Sequence, residues 1–233
     1  MKKDVREAFN RLASVYAQSV DTDSPYNSEY ERPAMLEQLP EDLEGHTALD
    51  AGCAAGWYTS QLTDRGARVT GIDSSENMVD AARQRIGNQA EILHLDLEDP
   101  LPFEQNSFDL IISSLTLHYI RDWTDPFKEF KRVLKPGGIL LFSVHHPLTD
   151  INLLEDADYF STELIRDTWH KNGQSYDVPF FRRSLQSVMN ETLAHFTISG
   201  IVEPLPTAAF REQDPEQFKR LMKRPQFLIV KAT

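Results

Sequence analysis

Apolar and polar positions follow two rhythms along the chain, and the switches between them mark its elements. In residues 4–19, Val5, Phe9, Leu12, Val15 and Tyr16 recur near one face of a helix. Residues 20–32 are mostly polar, and with Tyr16 just before them they bring in Tyr26 and Tyr30. Two readings are open for this stretch: a loop across the surface, or a lid whose tyrosines close over a ligand. Pro33 then opens a short helix through Leu39, where proline is well tolerated.

From residue 46 the rhythm changes. Apolar runs at 46–51, 67–73, 91–96, 107–113 and 139–144 predict strands. The 139–144 run is almost continuously apolar, as expected of a strand buried on both faces. Helical spacing fills the intervals. Trp57 to Arg65 stops at Gly66, and the next helix, capped by Ser74 or Ser75, runs to Ile86 and stops at Gly87. Asp125 and Pro126 are expected to form an N-cap and first turn, with Phe127, Phe130 and Leu134 as a buried stripe and 135–138 as a turn. Strands alternating with helices predict an α/β fold, an open, mostly parallel sheet with helices on both faces. Ligands of such sheets sit beyond the carboxyl ends of the strands. Asp50, Asp73, Asp96, Ser113 and His145 fall on that edge.

Residues 146–183 break the alternation. They are polar and aromatic and read as an insertion, with Trp169 and Phe180 among the rings that could wall a pocket or pack as a satellite cluster. Ser184–Ser199 reads as a helix ended by Gly200, followed by strands at 201–205 and 225–231. No internal repeat or linker is visible.

The turn after the first strand, Asp50-Ala51-Gly52-Cys53-Ala54-Ala55-Gly56-Trp57, carries the chemistry. Small residues let backbone approach a ligand, and the helix start offers unpaired N–H groups. A dinucleotide site wants glycine at the first, third and sixth positions. Those positions hold Gly52, Ala54 and Trp57, so a nicotinamide oxidoreductase is disfavoured. The alternative spacing, acid-x-Gly-x-Gly-x-Gly, is matched by Asp50, Gly52 and Gly56, with Ala54 in the middle. Asp73 at the end of the second strand can accept hydrogen bonds from both hydroxyls of a ribose. Met78 could pack on an adenine face or simply fill the core. Asp96 could accept from an adenine amino group, with the Leu97 backbone beside it.

Composition narrows the partners. The chain has 233 residues and a formal net charge of −12, which repels polyanions and argues against a nucleic-acid substrate. No apolar run approaches the roughly 20 residues that span a bilayer. With no apolar stretch after its basic start, the chain is expected to be cytoplasmic, without membrane association. The single cysteine, Cys53, reads as a buried filler of the turn rather than a nucleophile.

These motifs together resemble those of class I methyltransferases that use S-adenosyl-L-methionine (SAM), in the branch of the ubiquinone and menaquinone biosynthesis enzymes and many small-molecule enzymes. The resemblance rests on 49–56, Gly71–Met78, Leu95–Glu98, Phe108–Tyr119 and Leu134–Gly138. It implies a Rossmann-like seven-stranded sheet of order 3-2-1-4-5-7-6 with strand 7 antiparallel. It also implies a cofactor site in which the Gly52 turn, with Ala54 and Gly56, approaches the methionine part. Asp73 and Ser74 hold the ribose, Asp96 and Leu97 the adenine, and Ser113, Ser114 and Leu115 line the path to the sulfonium. The chain then divides into an N-terminal helical lid at 1–44, a SAM-binding core at 45–146, a pocket-forming insertion at 147–183, and a C-terminal helix and strands at 184–233. A monomer or homodimer acting on a small molecule is expected.

Methyl transfer from a sulfonium is an in-line displacement. Positioning alone supplies about 7–11 kcal/mol of such a barrier, so no covalent residue is needed. A base helps if the acceptor is a hydroxyl or a carbon acid. His145 and His146, directly after the fifth strand, are the candidates; the bland reading is that they shape the strand exit. Neighbouring residues on an extended chain point apart, so a metal site there is not expected. His118, Tyr16, Tyr26, Tyr30 and Trp169 are candidate substrate contacts. Arg182 could pair with an acidic substrate group or be a solvated charge. A SAM-binding protein without catalysis, serving a partner or a sensor role, is the alternative function.

Overall fold

A computed structural model describes residues 2–16, 24–171 and 173–233. The expected end of the first helix at 17–19 and the start of the polar stretch at 20–23 lie outside the described residues. The strands are β1 (Thr47–Ala51), β2 (Arg68–Asp73), β3 (Glu91–His94), β4 (Phe108–Ser114), β5 (Leu134–His145), β6 (Glu163–Lys171), β7 (Gln174–Arg182), β8 (Ile198–Val202) and β9 (Phe227–Ala232). Seven form one sheet of order β3-β2-β1-β4-β5-β9-β8. The first five run parallel, and β9 is antiparallel to both of its neighbours. With β6 and β7 outside this sheet, the order is the expected 3-2-1-4-5-7-6, and the Rossmann-like methyltransferase fold is present.

Alternation along the strands sorts side chains to the two faces. Leu49, Ile111, Phe142 and Val230 pack with Trp123, Phe127 and Phe130 of the helix Thr124–Val133. Ala48, Leu110, Ile112, Leu141 and Ile229 pack on the other face, with Met35, Tyr58 and Leu62. Burying each of the larger side chains stabilises the fold by roughly 1.5–3 kcal/mol. Two helical layers thus hold the sheet rigid and fix the strand ends that carry the site.

Several boundaries differ from the sequence reading. The helix over 184–199 covers only Leu185–Leu193. Ser184 caps it, accepting from Ser187 N–H at 3.1 Å. Phe196 then buries against Phe127, and Thr197 and Thr233 exchange two backbone hydrogen bonds at 2.9 Å, which starts β8. Gly200 therefore lies inside a strand, and Leu193, expected on the buried face, is exposed. The helix at 124 has Trp123, not Asp125, at its N-cap, and just before it the Asp122 carboxylate accepts the Thr124 N–H at 2.9 Å. The turn at 135–138 belongs to β5: Leu134 pairs with Phe108 before an irregularity in register. A Cβ on Gly138 would lie 2.9 Å from the Asp109 carbonyl oxygen, so the chain needs glycine there. The largest difference is the insertion. Its polar, aromatic stretch hides a β-hairpin, β6 and β7, in which Trp169 faces Tyr176 and Ile165 faces Phe180. Helices at Ala208–Gln213 and Pro215–Leu221 complete the C-terminal part.

Candidate cofactor cleft and acceptor cavity

The turn after β1 is built by left-handed backbone. Gly52 has φ +87°, Ala54 +45° and Gly56 +82°. The N–H groups of Gly52 and Cys53 both reach the Ile72 carbonyl at 2.9 Å, tying the turn to β2. A Cβ on Gly52 would fall 2.3 Å from Thr116 Oγ1, so only glycine lets the turn meet the loop after β4. A Cβ on Gly56 would press on Ala82 and Ile86 at 3.2 Å; this glycine serves the contact between the helices Trp57–Asp64 and Glu76–Ile86.

Asp73 is held at the end of β2 by this turn. One carboxylate oxygen accepts the Ala54 N–H at 2.9 Å and the other the Ser75 N–H at 2.8 Å. Burial pushes its pKa up to about 6, against the two N–H bonds that favour the ionised form. Each oxygen has accepting capacity beyond that one bond, and Asp73 lines the cleft. Gly52, Ala54, Asp73, Ser74, Asp96, Leu97, Ser114 and Leu115 all line one cleft. Lys2 reaches over its edge to Asp96 at 3.8 Å. The donor set suits a nucleoside: a carboxylate for ribose hydroxyls, a second acid and an apolar side chain for a base, and a glycine turn with no side chain in the way.

Four of the expected cofactor contacts do not reach this cleft. Asp50 is buried beneath the turn and accepts from Thr59 Oγ1 at 2.6 Å; burial pushes its pKa up to about 7. It supports the turn. Gly56 packs helices, as above. Met78 is fully buried and packs with Leu12, Ala13, Val15, Ala55, Tyr176 and Val178. Ser113 is fully buried and donates to the Ala51 carbonyl at 2.8 Å, locking β4 to β1. Cys53 is buried with its thiol pKa pushed well up, as a filler should be.

A second cavity adjoins the cleft. Tyr16, Asn27, Leu115 and Tyr119 line both. Beyond them the second cavity is walled by Tyr26, Trp169, Phe180 and Phe227, with His145 and Asp150 at its polar end. Residues of the hairpin and of the N-terminal segment are among those that line it. The phenols at the junction are neutral: burial pushes Tyr16 up to about 12 and Tyr119 well above the usual phenol range. His145 stands between His118, stacked on it at 4.0 Å, and the edge of Phe180 at 4.7 Å. Its Nδ1 lies 3.5 Å from Asp150 Oδ1.

The other expected substrate and catalytic residues are placed differently. His146 caps the helix Pro147–Asp150, accepting from Leu148 N–H at 3.1 Å, and its Nε2 meets Glu203 at 2.9 Å. It lines neither cavity, so the strand-exit reading holds for it. His118 is buried behind His145, and neither ring nitrogen has a hydrogen-bond partner among the described residues. Burial holds its pKa well below the usual imidazole range. Tyr30 is fully buried against Phe210 and Phe227, with its hydroxyl accepting from Gln226 N–H at 3.0 Å, so it anchors the N-terminal segment instead of facing a ligand. Arg182 is neither a substrate group nor solvated. It is fully buried, ion-paired with Glu163, and donates to the carbonyls of Tyr159 and Ser161 at 3.2 and 3.0 Å, closing the base of the hairpin.

Glu31 escaped the sequence reading. It is buried in the wall of the cleft, accepts from Ser114 Oγ at 2.8 Å and Tyr58 hydroxyl at 2.7 Å, and also accepts from Ser143 Oγ. Burial pushes its pKa up. Nothing local marks it, because its three donors come from the helix after β1, from β4 and from β5. Arg32, next to it, stacks on Trp57 at 4.1 Å and lines the same cleft.

Comparison with known proteins agrees with this geometry. Residues 49–142 match the family described as a methyltransferase domain. An uncharacterized protein of Haemophilus influenzae is 29% identical over 225 residues, covering 88% of this chain and 87% of that protein. The malonyl-[acyl-carrier protein] O-methyltransferase of Erwinia pyrifoliae is 35% identical over 178 residues, covering 75% of this chain and 59% of that enzyme. The chain spans between 50% and 59% of the several relatives bearing that name. Among solved structures, an S-adenosylmethionine dependent methyltransferase from Mesorhizobium loti is 28% identical with a TM-score of 0.70, covering 87% of this chain and 96% of that one. These likenesses are to methyltransferases, and they agree with the fold and the cleft described above.

Proposed function

We propose that this chain is a class I SAM-dependent methyltransferase, which transfers the methyl group of SAM to a small molecule held in the second cavity, with His145 as the base. The observation that carries this reading is the shared wall: Tyr16, Asn27, Leu115 and Tyr119 border both the cofactor cleft and the second cavity. Bound SAM supplies an electrophilic methyl group on a sulfonium. Leu115, at the end of β4 with φ +48°, and the two neutral phenols form the passage and keep water from it. Asp73 holds the ribose, the Gly52 turn lies against the methionine part, and the aromatic walls of the second cavity orient the acceptor.

An oxygen acceptor is favoured by the presence of a histidine at the polar end of the cavity, since a neutral amine or thiolate needs no base. The relatives named O-methyltransferases support the same choice. The resemblance to the quinone-biosynthesis branch rests on residues 45–146 alone and is compatible with an aromatic, hydroxyl-bearing acceptor. The division into lid, core, insertion and C-terminal part is retained as the working domain scheme.

His145→Gln tests the reading. Loss of a general base costs roughly 10²–10⁴-fold in rate. Methyl transfer is expected to fall by that order while SAM affinity stays within twofold. Collapse of SAM affinity, or unchanged transfer, would place His145 outside the acceptor site.

A further inference from the structure

Arg220 is the one fixed cation among the described residues that line the second cavity. It comes from the helix Pro215–Leu221, on the wall formed with Tyr26 and Gln226. Its Nε donates to Gln217 Oε1 at 2.7 Å, and one Nη donates to the Tyr26 hydroxyl at 3.1 Å and to Gln226 Oε1 at 3.2 Å. All three acceptors are neutral. No carboxylate pairs with it among the described residues. The two acids of the cavity are engaged elsewhere: Asp150 faces His145, and Asp167 accepts the Trp169 indole N–H at 3.0 Å.

Arg220 is exposed, yet its head is tied in place at the cavity wall. An exposed arginine ordinarily swings freely in water, and fixing it loses side-chain entropy. Here three neutral acceptors, from Tyr26, Gln217 and Gln226, hold the fork in one orientation. Its charge meets no carboxylate among the described residues, and the second Nη, which takes part in none of these three bonds, is left to donate to an anion.

We propose that Arg220 forms an anion subsite of the acceptor cavity and that the acceptor carries a carboxylate besides the atom that receives the methyl group. The carboxylate pairs with Arg220 while the apolar body lies against Trp169, Phe180 and Phe227 and the methyl-accepting end reaches Leu115 and His145. This inference rests on the acceptor assignment made for the second cavity.

The test uses the chain loaded with S-adenosyl-homocysteine (SAH). A panel of hydroxybenzoates, hydroxycinnamates and C4–C8 aliphatic acids, each beside its primary amide, is titrated by calorimetry. At least one acid is expected to bind ten times more tightly than its amide. Arg220→Gln is expected to remove that preference, and Arg220→Lys to restore part of it. SAH affinity and melting temperature of each variant, both expected within error of wild type, show that the fold and cleft persist. Equal binding of every acid and its amide overturns the proposal, as does an acid preference that survives in Arg220→Gln. Methyl transfer to small molecules is measured separately. If transfer is seen and the acid preference is not, only the anion subsite falls; if transfer is absent, the acceptor assignment falls by its own assay.

Discussion

Replacing Asp73 with asparagine isolates the cofactor interaction most cleanly. In the native site each carboxylate oxygen already accepts one backbone N–H, from Ala54 at 2.9 Å and Ser75 at 2.8 Å. Each therefore has capacity for one ribose hydroxyl. The asparagine NH2 must turn toward one of those two N–H groups, donor against donor. Leaving one such buried group unsatisfied costs about 1–3 kcal/mol of stability. The lost charge-assisted bond to the ribose is worth about 1.5–3 kcal/mol, so SAH affinity should drop roughly 10- to 150-fold.

The pH dependence separates this from a general loss of structure. Burial raises the Asp73 pKa from 3.8 to about 6. Between those values the folded chain keeps a proton that the unfolded chain has released. The contribution of this group to stability is thus present at low pH and lost as pH rises through about 6. Ligand binding runs the other way, because the ionised carboxylate is the better acceptor. Calorimetry should show wild-type SAH affinity climbing as pH passes through 6 and levelling above 7, with the asparagine variant lacking that rise. An affinity within twofold of wild type, or the same pH dependence in both proteins, would refute the assignment of Asp73 to the ribose.

Three further substitutions follow from the packing. Met78→Ala should destabilise the fold by about 2–5 kcal/mol in chemical denaturation and leave SAH affinity within twofold; a tenfold loss of affinity would put Met78 back on the adenine. Thr59→Val removes the 2.6 Å donor to Asp50 and should cost about 1–3 kcal/mol, rising above pH 7 where the carboxyl is ionised; a pH-independent cost would contradict the raised pKa. Arg182→Met should destabilise the hairpin by about 3 kcal/mol, read as faster limited proteolysis between 155 and 182; wild-type resistance would show that the buried pair with Glu163 is dispensable.

What could be read from the sequence was what local pattern determines. The parallel core was legible because the first four strands are short apolar runs closed by an acid or serine, and the two helices between the first three are stopped by Gly66 and Gly87. Asp73, Asp96 and Leu97 were legible as cleft residues for the same reason: position at a strand end fixes which edge they occupy. Asp50, Met78 and Ser113 share that pattern yet point into the protein, since orientation depends on partners such as Thr59, Leu12 and the Ala51 carbonyl. The hairpin was missed because Asp167, between Ile165 and Trp169 on one face of its strand, interrupts the apolar alternation that Val178 and Phe180 carry on the facing strand. Glu31 was missed because its surroundings are assembled from three distant segments. Arg182 was misread because adjacent arginines look solvated until the chain folds one of them under a loop.

The measurement that bears most directly on the central claim is transfer of label from radioactive SAM into a fractionated extract of the source cell, separated into small molecules, proteins and nucleic acids. Label is expected in the small-molecule fraction with the wild-type chain and at least a hundredfold less with His145→Gln. Label confined to protein or nucleic acid, or none while SAM remains bound, would contradict it.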